Sequence, residues 1–107
     1  MNLAKLAAFL GPTYAVHDDP DDEGTPYIIW EVAPSYWHGR FKSDADLFYA
    51  LLVRAAERGL AVCTESVEKS WHTALYSEAT GMISVVGPTP LDALVKAIEE
   101  LPQGEPV

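Results

Sequence analysis

The sequence predicts an α+β fold, an α/β sandwich in which an antiparallel sheet of three to five strands is packed by two long helices and a short N-terminal helix. Residues 43–59 and 89–101 each repeat apolar side chains at helical spacing. Between them lie three strand-like segments whose connections are too short for parallel crossovers. At 107 residues and 49% hydrophobic content, residues 1–107 form a single domain that can bury a core.

The N-terminal part predicts a short helix and then a hairpin. Leucines at helical spacing fill residues 2–10, and the Gly-Pro pair that follows ends the helix. Residues 13–17 and 27–32 are strand-like and would pair across the acidic loop 18–25. Residues 33–42 predict a loop rich in aromatic side chains.

Residues 43–59 form the clearest predicted helix, with Ser43 as its cap and Gly59 as its left-handed stop. We expect the rest of the chain to pack on its apolar face, which consists of Leu47, Phe48, Leu51, Leu52 and Ala55.

The C-terminal half predicts an antiparallel meander over residues 60–67, 71–77 and 82–86. Alternation in the middle strand predicts Trp71, Thr73 and Leu75 on the core face and His72 on the second face.

The last helix has clear boundaries. Thr89 is its expected N-cap, Pro90 its first residue and Pro102 its stop, and residues 102–107 predict a frayed tail.

The charge balance restricts the class of partner. Sixteen acidic against seven basic residues give a formal charge of -9, whereas nucleic-acid binders carry a basic footprint. We therefore expect a protein partner, including one whose basic surface binds nucleic acid, and no direct nucleic-acid contact.

No apolar run approaches the ~18 residues of a membrane span. A single cysteine, Cys63, predicts a buried thiol and a cytoplasmic protein without an internal disulfide.

The acidic loop is the first candidate contact surface. Its spacing does not match a calcium-binding loop, so we predict no metal and no cofactor. It is either a mobile solvated loop or a docking site for a basic partner, and the docking residues would be Asp18, Asp19, Asp21, Asp22 and Glu23.

The aromatic segment is the second candidate. Tyr36, Trp37 and Arg40 are residue types that dominate protein interfaces. The alternative is that Trp37 and Phe41 fold back as a lid on the core.

Two Trp-His pairs raise the question of catalysis. His38 follows Trp37 and His72 follows Trp71, but neither histidine has a nucleophile at a recognised spacing. We therefore predict no catalytic residues and a protein that is not an enzyme.

Four short features resemble the phage ABA sandwich domain found in small phage and prophage proteins. These are the N-terminal helix ending at Gly11, Pro34-Ser35 before Ser43-Asp44, Arg58-Gly59-Leu60, and Thr89-Pro90-Leu91. The acidic loop and residues 36–42 depart from that pattern as insertions. The resemblance implies an α/β sandwich and a phage or prophage setting, and it implies no catalytic residues.

Three functions follow as hypotheses. The first is a small acidic binding protein of the bacterial host's cytoplasm that inhibits a host defence complex, as an anti-CRISPR protein does, through its acidic and aromatic segments. The second is a self-associating phage accessory or structural protein. For the protein in general we expect either a monomer or a homodimer. The third is a small enzyme or ligand binder that uses His38 or His72.

Overall fold

The structure, a computed structural model, describes residues 2–17, 26–33 and 36–101, with only the backbone at 32–33 and 36–38. Three helices and six strands make up the described chain, in the order α1 (Leu3–Leu10), β1 (Tyr14–His17), β2 (Tyr27–Ala33), β3 (Tyr36–Arg40), α2 (Asp44–Glu57), β4 (Ala61–Val67), β5 (Ser70–Ser77), β6 (Gly81–Gly87) and α3 (Pro90–Glu99).

The strands form two antiparallel sheets, each with its strands in chain order. The first sheet is β1-β2-β3 and the second sheet is β4-β5-β6. The α+β class, the three helices and the C-terminal meander are confirmed. The single sheet that we expected is wrong, because α2 stands between the third and fourth strands and the two meanders do not pair with each other.

The predicted loop at 33–42 is wrong over half of its length, because Tyr36–Arg40 is the strand β3. This strand pairs with β2 through an irregular register that shifts on both sides of Glu31. A bulge of this kind interrupts the two-residue alternation by which strands are recognised in a sequence.

Aromatic rings pack on the first sheet. The indole of Trp30 lies over its register partner Gly39, where any Cβ atom would overlap the ring. The Tyr14 and Phe41 rings are stacked with centroids 6.3 Å apart, and the Trp30 and Phe41 centroids are 4.8 Å apart. Such ring pairs stabilise beyond the area that they bury.

The helix at the centre of the fold is α3, and not the 43–59 helix that we expected. Six of the residues of α3 are buried, whereas α2 buries only Leu51 and Ala55 completely. The reason is position: α3 packs on β5 and β6 and also contacts α1 and α2, whereas α2 contacts α1, α3 and, in the second sheet, β4 alone among the described strands.

The start of α3 is fixed by its cap and by the end of β6. Thr89 Oγ1 accepts a hydrogen bond from the Asp92 amide at 3.1 Å and donates one to Asp92 Oδ2 at 3.0 Å. At Gly87 an added Cβ would lie 2.8 Å from the Ala93 backbone nitrogen, so strand and helix meet without a side chain between them.

The first helix is tied to both of the others. The Asn2 amide donates to Glu99 Oε1 at 2.7 Å, and Lys5 Nζ donates to the Glu99 carbonyl oxygen. On the other side, Arg54 Nε donates to the Phe9 carbonyl oxygen at 2.9 Å.

The second sheet presents its inner face to α3. Thr73 and Leu75 are fully buried there, as their alternation predicts, and the Thr73 hydroxyl is satisfied by Thr64 Oγ1 at 3.2 Å. Cys63 points to the other face and is exposed, so the prediction of a buried thiol is wrong.

Candidate functional site

The acidic candidate surface lies outside the described residues. Residues 18–25 contain Asp18, Asp19, Asp21, Asp22 and Glu23, and their proposed contact role stays a prediction.

The aromatic candidate segment lies on β3. Tyr36 pairs in register with Ala33, and Trp37 with Glu31. The side chains of Tyr36, Trp37 and His38 lie outside the description, so their roles as contacts or as a lid stay predictions.

Arg40 is exposed at the end of β3. Its guanidinium carbon lies 4.0 Å from the centroid of the Tyr27 ring, a cation–π contact that holds the charge against the first sheet. Two clefts adjoin it, one of about 270 Å3 towards Leu3 and one of about 410 Å3 towards Tyr49. The guanidinium is therefore placed where an acidic or aromatic group of a partner could reach it.

The most exposed apolar surface is on the second sheet, opposite α3. We call it the outer face. Among the large hydrophobic side chains of the described chain, four of the six that are exposed lie on it, with 47% to 70% of their area accessible. They are Val67, Tyr76, Met82 and Val86.

The outer face also has a charged rim. Glu68 and Lys69 form the β4–β5 turn at one end, and Glu78 lies in the β5–β6 turn at the other. Glu65 lies on the face itself. The apolar side chains therefore have three carboxylates and one amine near them in the sheet and its turns. Apolar contacts surrounded by charges are the usual anatomy of a protein interface.

A polar chain crosses the outer face on three adjacent strands. Glu65 is the register partner of His72, and Ser84 lies one diagonal step away, opposite Ala74. His72 Nε2 shares a hydrogen bond with Ser84 Oγ, and its Nδ1 lies 3.6 Å from Glu65 Oε1. The imidazole thus has a hydroxyl on one nitrogen and a carboxylate on the other.

The Glu65, His72 and Ser84 side chains lie outside the two clefts next to Arg40. A third cleft, of about 570 Å3, lies between α1 and β1, and the lining of all three clefts excludes His72.

Over residues 2–17, 26–33 and 36–101, no three histidine, cysteine, aspartate or glutamate side chains are grouped as a metal site would require. In that same part of the chain, no helix has the length and apolar content needed to cross a membrane.

Comparisons with protein-family models, curated proteins and solved structures found no match to this chain. The resemblance to the phage ABA sandwich domain therefore stays a prediction.

Sequence reasoning missed two parts of this site. It placed His72 on the second face of its strand and found no nucleophile at a recognised spacing, so it did not consider Ser84, which lies twelve residues away. It also left out Tyr76 and Met82, although alternation already placed Tyr76 on the same face as His72.

Proposed function

We propose that this protein is a binding module whose contact surface is the outer face of the second sheet. The observation that carries this proposal is the exposure of Val67, Tyr76, Met82 and Val86 on a sheet face that no described helix or strand covers. Exposed apolar patches with a polar rim mark interaction sites in soluble proteins.

The partner that fits is a protein with an apolar centre and basic surroundings. Glu65, Glu68 and Glu78 line the face, and the whole chain carries a formal charge of -9. The acidic segment 18–25 would add to the same attraction, and Arg40 on the first sheet supplies a second contact of opposite charge. Electrostatic complementarity of this kind raises association rates and selects partners.

The sequence resemblance gives the proposal a biological setting. In a phage or prophage, the partner would be a host defence complex of the bacterial cytoplasm, and the carboxylates would occupy a surface that binds nucleic-acid phosphates. This anti-CRISPR-like form of the proposal is supported by the resemblance and by the charge alone.

Affinity capture of the tagged full chain from a bacterial lysate, at low and at moderate salt, tests the proposal. The test variant carries Tyr76→Ser and Met82→Ser on the outer face. The matched control carries Tyr49→Ser and Val53→Ser, which remove equally exposed apolar side chains from α2.

We expect one specific complex that the wild type and the control retain and the outer-face variant loses. Partial loss with rising salt would assign part of the affinity to the carboxylates. A variant with all five carboxylates of 18–23 neutralised measures the share of the acidic loop. A partner that the outer-face variant keeps and the control loses would contradict the assignment.

Self-association through the same face is the alternative function. Two copies would each contribute an apolar sheet face, but they would also bring together the carboxylates of two chains of charge -9. Light scattering separates the cases: a monomer at micromolar concentration argues for a different partner, and a dimer that the outer-face variant abolishes argues for self-association.

A further inference from the structure

Ser84, His72 and Glu65 stand in the order of a nucleophile, a base and an acid. The hydroxyl of Ser84 is hydrogen-bonded to Nε2 of His72, and the opposite nitrogen of the ring faces the Glu65 carboxylate at 3.6 Å. Each comes from a different strand of the second sheet, so the pairing of β4, β5 and β6 brings them together. A hydroxyl within reach of a base that a third group faces is the arrangement of an activated nucleophile.

We propose that Ser84 is a nucleophile towards small activated esters, with His72 as its general base. This activity uses the same face as the partner binding proposed above, but it does not depend on a partner. The distance to Glu65 exceeds that of a hydrogen bond. Glu65 therefore acts through its charge as a positioning residue that faces Nδ1 of the ring.

The reaction is an acyl transfer to the serine. Ser84 Oγ attacks the ester carbonyl carbon, its proton passes to His72 Nε2, and the carbonyl π electrons move to the carbonyl oxygen. Collapse of this tetrahedral intermediate breaks the bond to the alcohol, which departs with the bonding electron pair and takes up a proton from Nε2 or from water. Water can then attack the acyl-serine, which releases the acid and restores the hydroxyl.

The open sheet face restricts the substrate and the rate. Met82 and Val86 flank Ser84 on the same side of β6 and are exposed, so a short apolar acyl group can lie on them. His72 has 32% of its side chain accessible, which leaves the base in contact with water. We therefore expect acceleration of roughly 10²-fold, at the lower end of general-base catalysis.

The probe is p-nitrophenyl acetate with the full-length protein. Peptide mass spectrometry measures acetylation of Ser84 over time, and Ser66 of the same chain is the internal reference because it is an exposed hydroxyl on β4 whose register partner is Trp71. We expect Ser84 to be acetylated roughly 10²-fold faster than Ser66. In His72→Gln that ratio should fall to about one, and Ser84→Ala should abolish the label.

Two substitutions at Glu65 separate charge from shape. Glu65→Gln should lower the acetylation rate of Ser84 by several-fold. Glu65→Asp keeps the charge and should keep most of the wild-type rate. If the effect of Glu65 is electrostatic, the wild-type rate should also fall as the salt concentration rises. Circular dichroism checks that each variant is folded. Equal labelling of Ser84 and Ser66, a His72→Gln rate like that of the wild type, or acetyl groups found only on His72 would each overturn the proposal.

Discussion

The two sheets have the same topology but are completed in different ways. The second sheet has an unbroken register and places α3 on one face, while its outer face carries exposed apolar side chains. The first sheet has a shifted register at β3 and is packed by its own aromatic rings and by α1. The regular sheet therefore keeps a face with exposed apolar side chains, whereas the irregular one packs Trp30, Phe41 and Tyr14 against each other.

The two faces of the second sheet should differ in how much their side chains stabilise the fold, and we expect the largest loss of stability at Leu75. This side chain is fully buried beneath α3, so Leu75→Ala should lower the free energy of unfolding by about 2–5 kcal/mol. Urea unfolding followed by tryptophan fluorescence measures it. Val86→Ala on the outer face is the control, and an equal loss there would mean that the outer face is covered.

Alanine substitutions at one glycine of each sheet test how closely the sheet is packed against its neighbours. Gly87→Ala should cost about 1–3 kcal/mol, because its Cβ meets the backbone of α3 at Ala93, which cannot move alone. At Gly39→Ala the nearest atoms to the new Cβ belong to the Trp30 ring, a side chain that can rotate away at about 0.5–1.5 kcal/mol. Thermal unfolding of both variants tests the order, and a larger loss at Gly39 would reverse the comparison.

The caps of α3 and α2 test which helix supports the fold. Thr89→Ala removes two hydrogen bonds with Asp92, so it should cost about 1 kcal/mol. Ser43→Ala removes one bond of 3.3 Å and should cost less. Chemical denaturation gives both values, and equal losses would argue against α3 as the more important helix.

The smallest expected effect is on the outer face. Met82→Ser should change the free energy of unfolding by less than about 0.5 kcal/mol, since the side chain is 70% exposed. Phe41→Ser, just after β3, should cost clearly more, because it removes the ring stacked on Tyr14. Differential scanning calorimetry of both variants measures the contrast, which would vanish if Met82 were packed against another part of the chain.

The sequence predicted the second sheet better than the first for a physical reason. Over residues 61–87, alternation runs without interruption between tight turns, so strand positions and the core side of Thr73 and Leu75 could be derived. At β3 the register shifts, and Gly39 leaves no side chain to alternate. The pattern of a strand was therefore absent from the residues that form one.

The candidate site was harder to predict because it depends on register and on which faces stay uncovered. Alternation assigns His72 and Cys63 to faces of their strands, but it does not say whether another element covers those faces. Cys63 was therefore predicted to be buried and is exposed. The contact between His72 and Ser84 depends on the pairing of β5 with β6. No local spacing encodes it, and only the assembled sheet brings the two residues together.

The attachment of α1 has a consequence for folding kinetics. Each described strand pairs only with a neighbour in the chain, whereas Asn2 and Lys5 reach across the sequence to Glu99. Contacts between distant residues form slowly, because a long loop must close before they contribute. We therefore expect both meanders to form before α1 docks. This helix would then be the last element to dock during folding and the first to detach during unfolding.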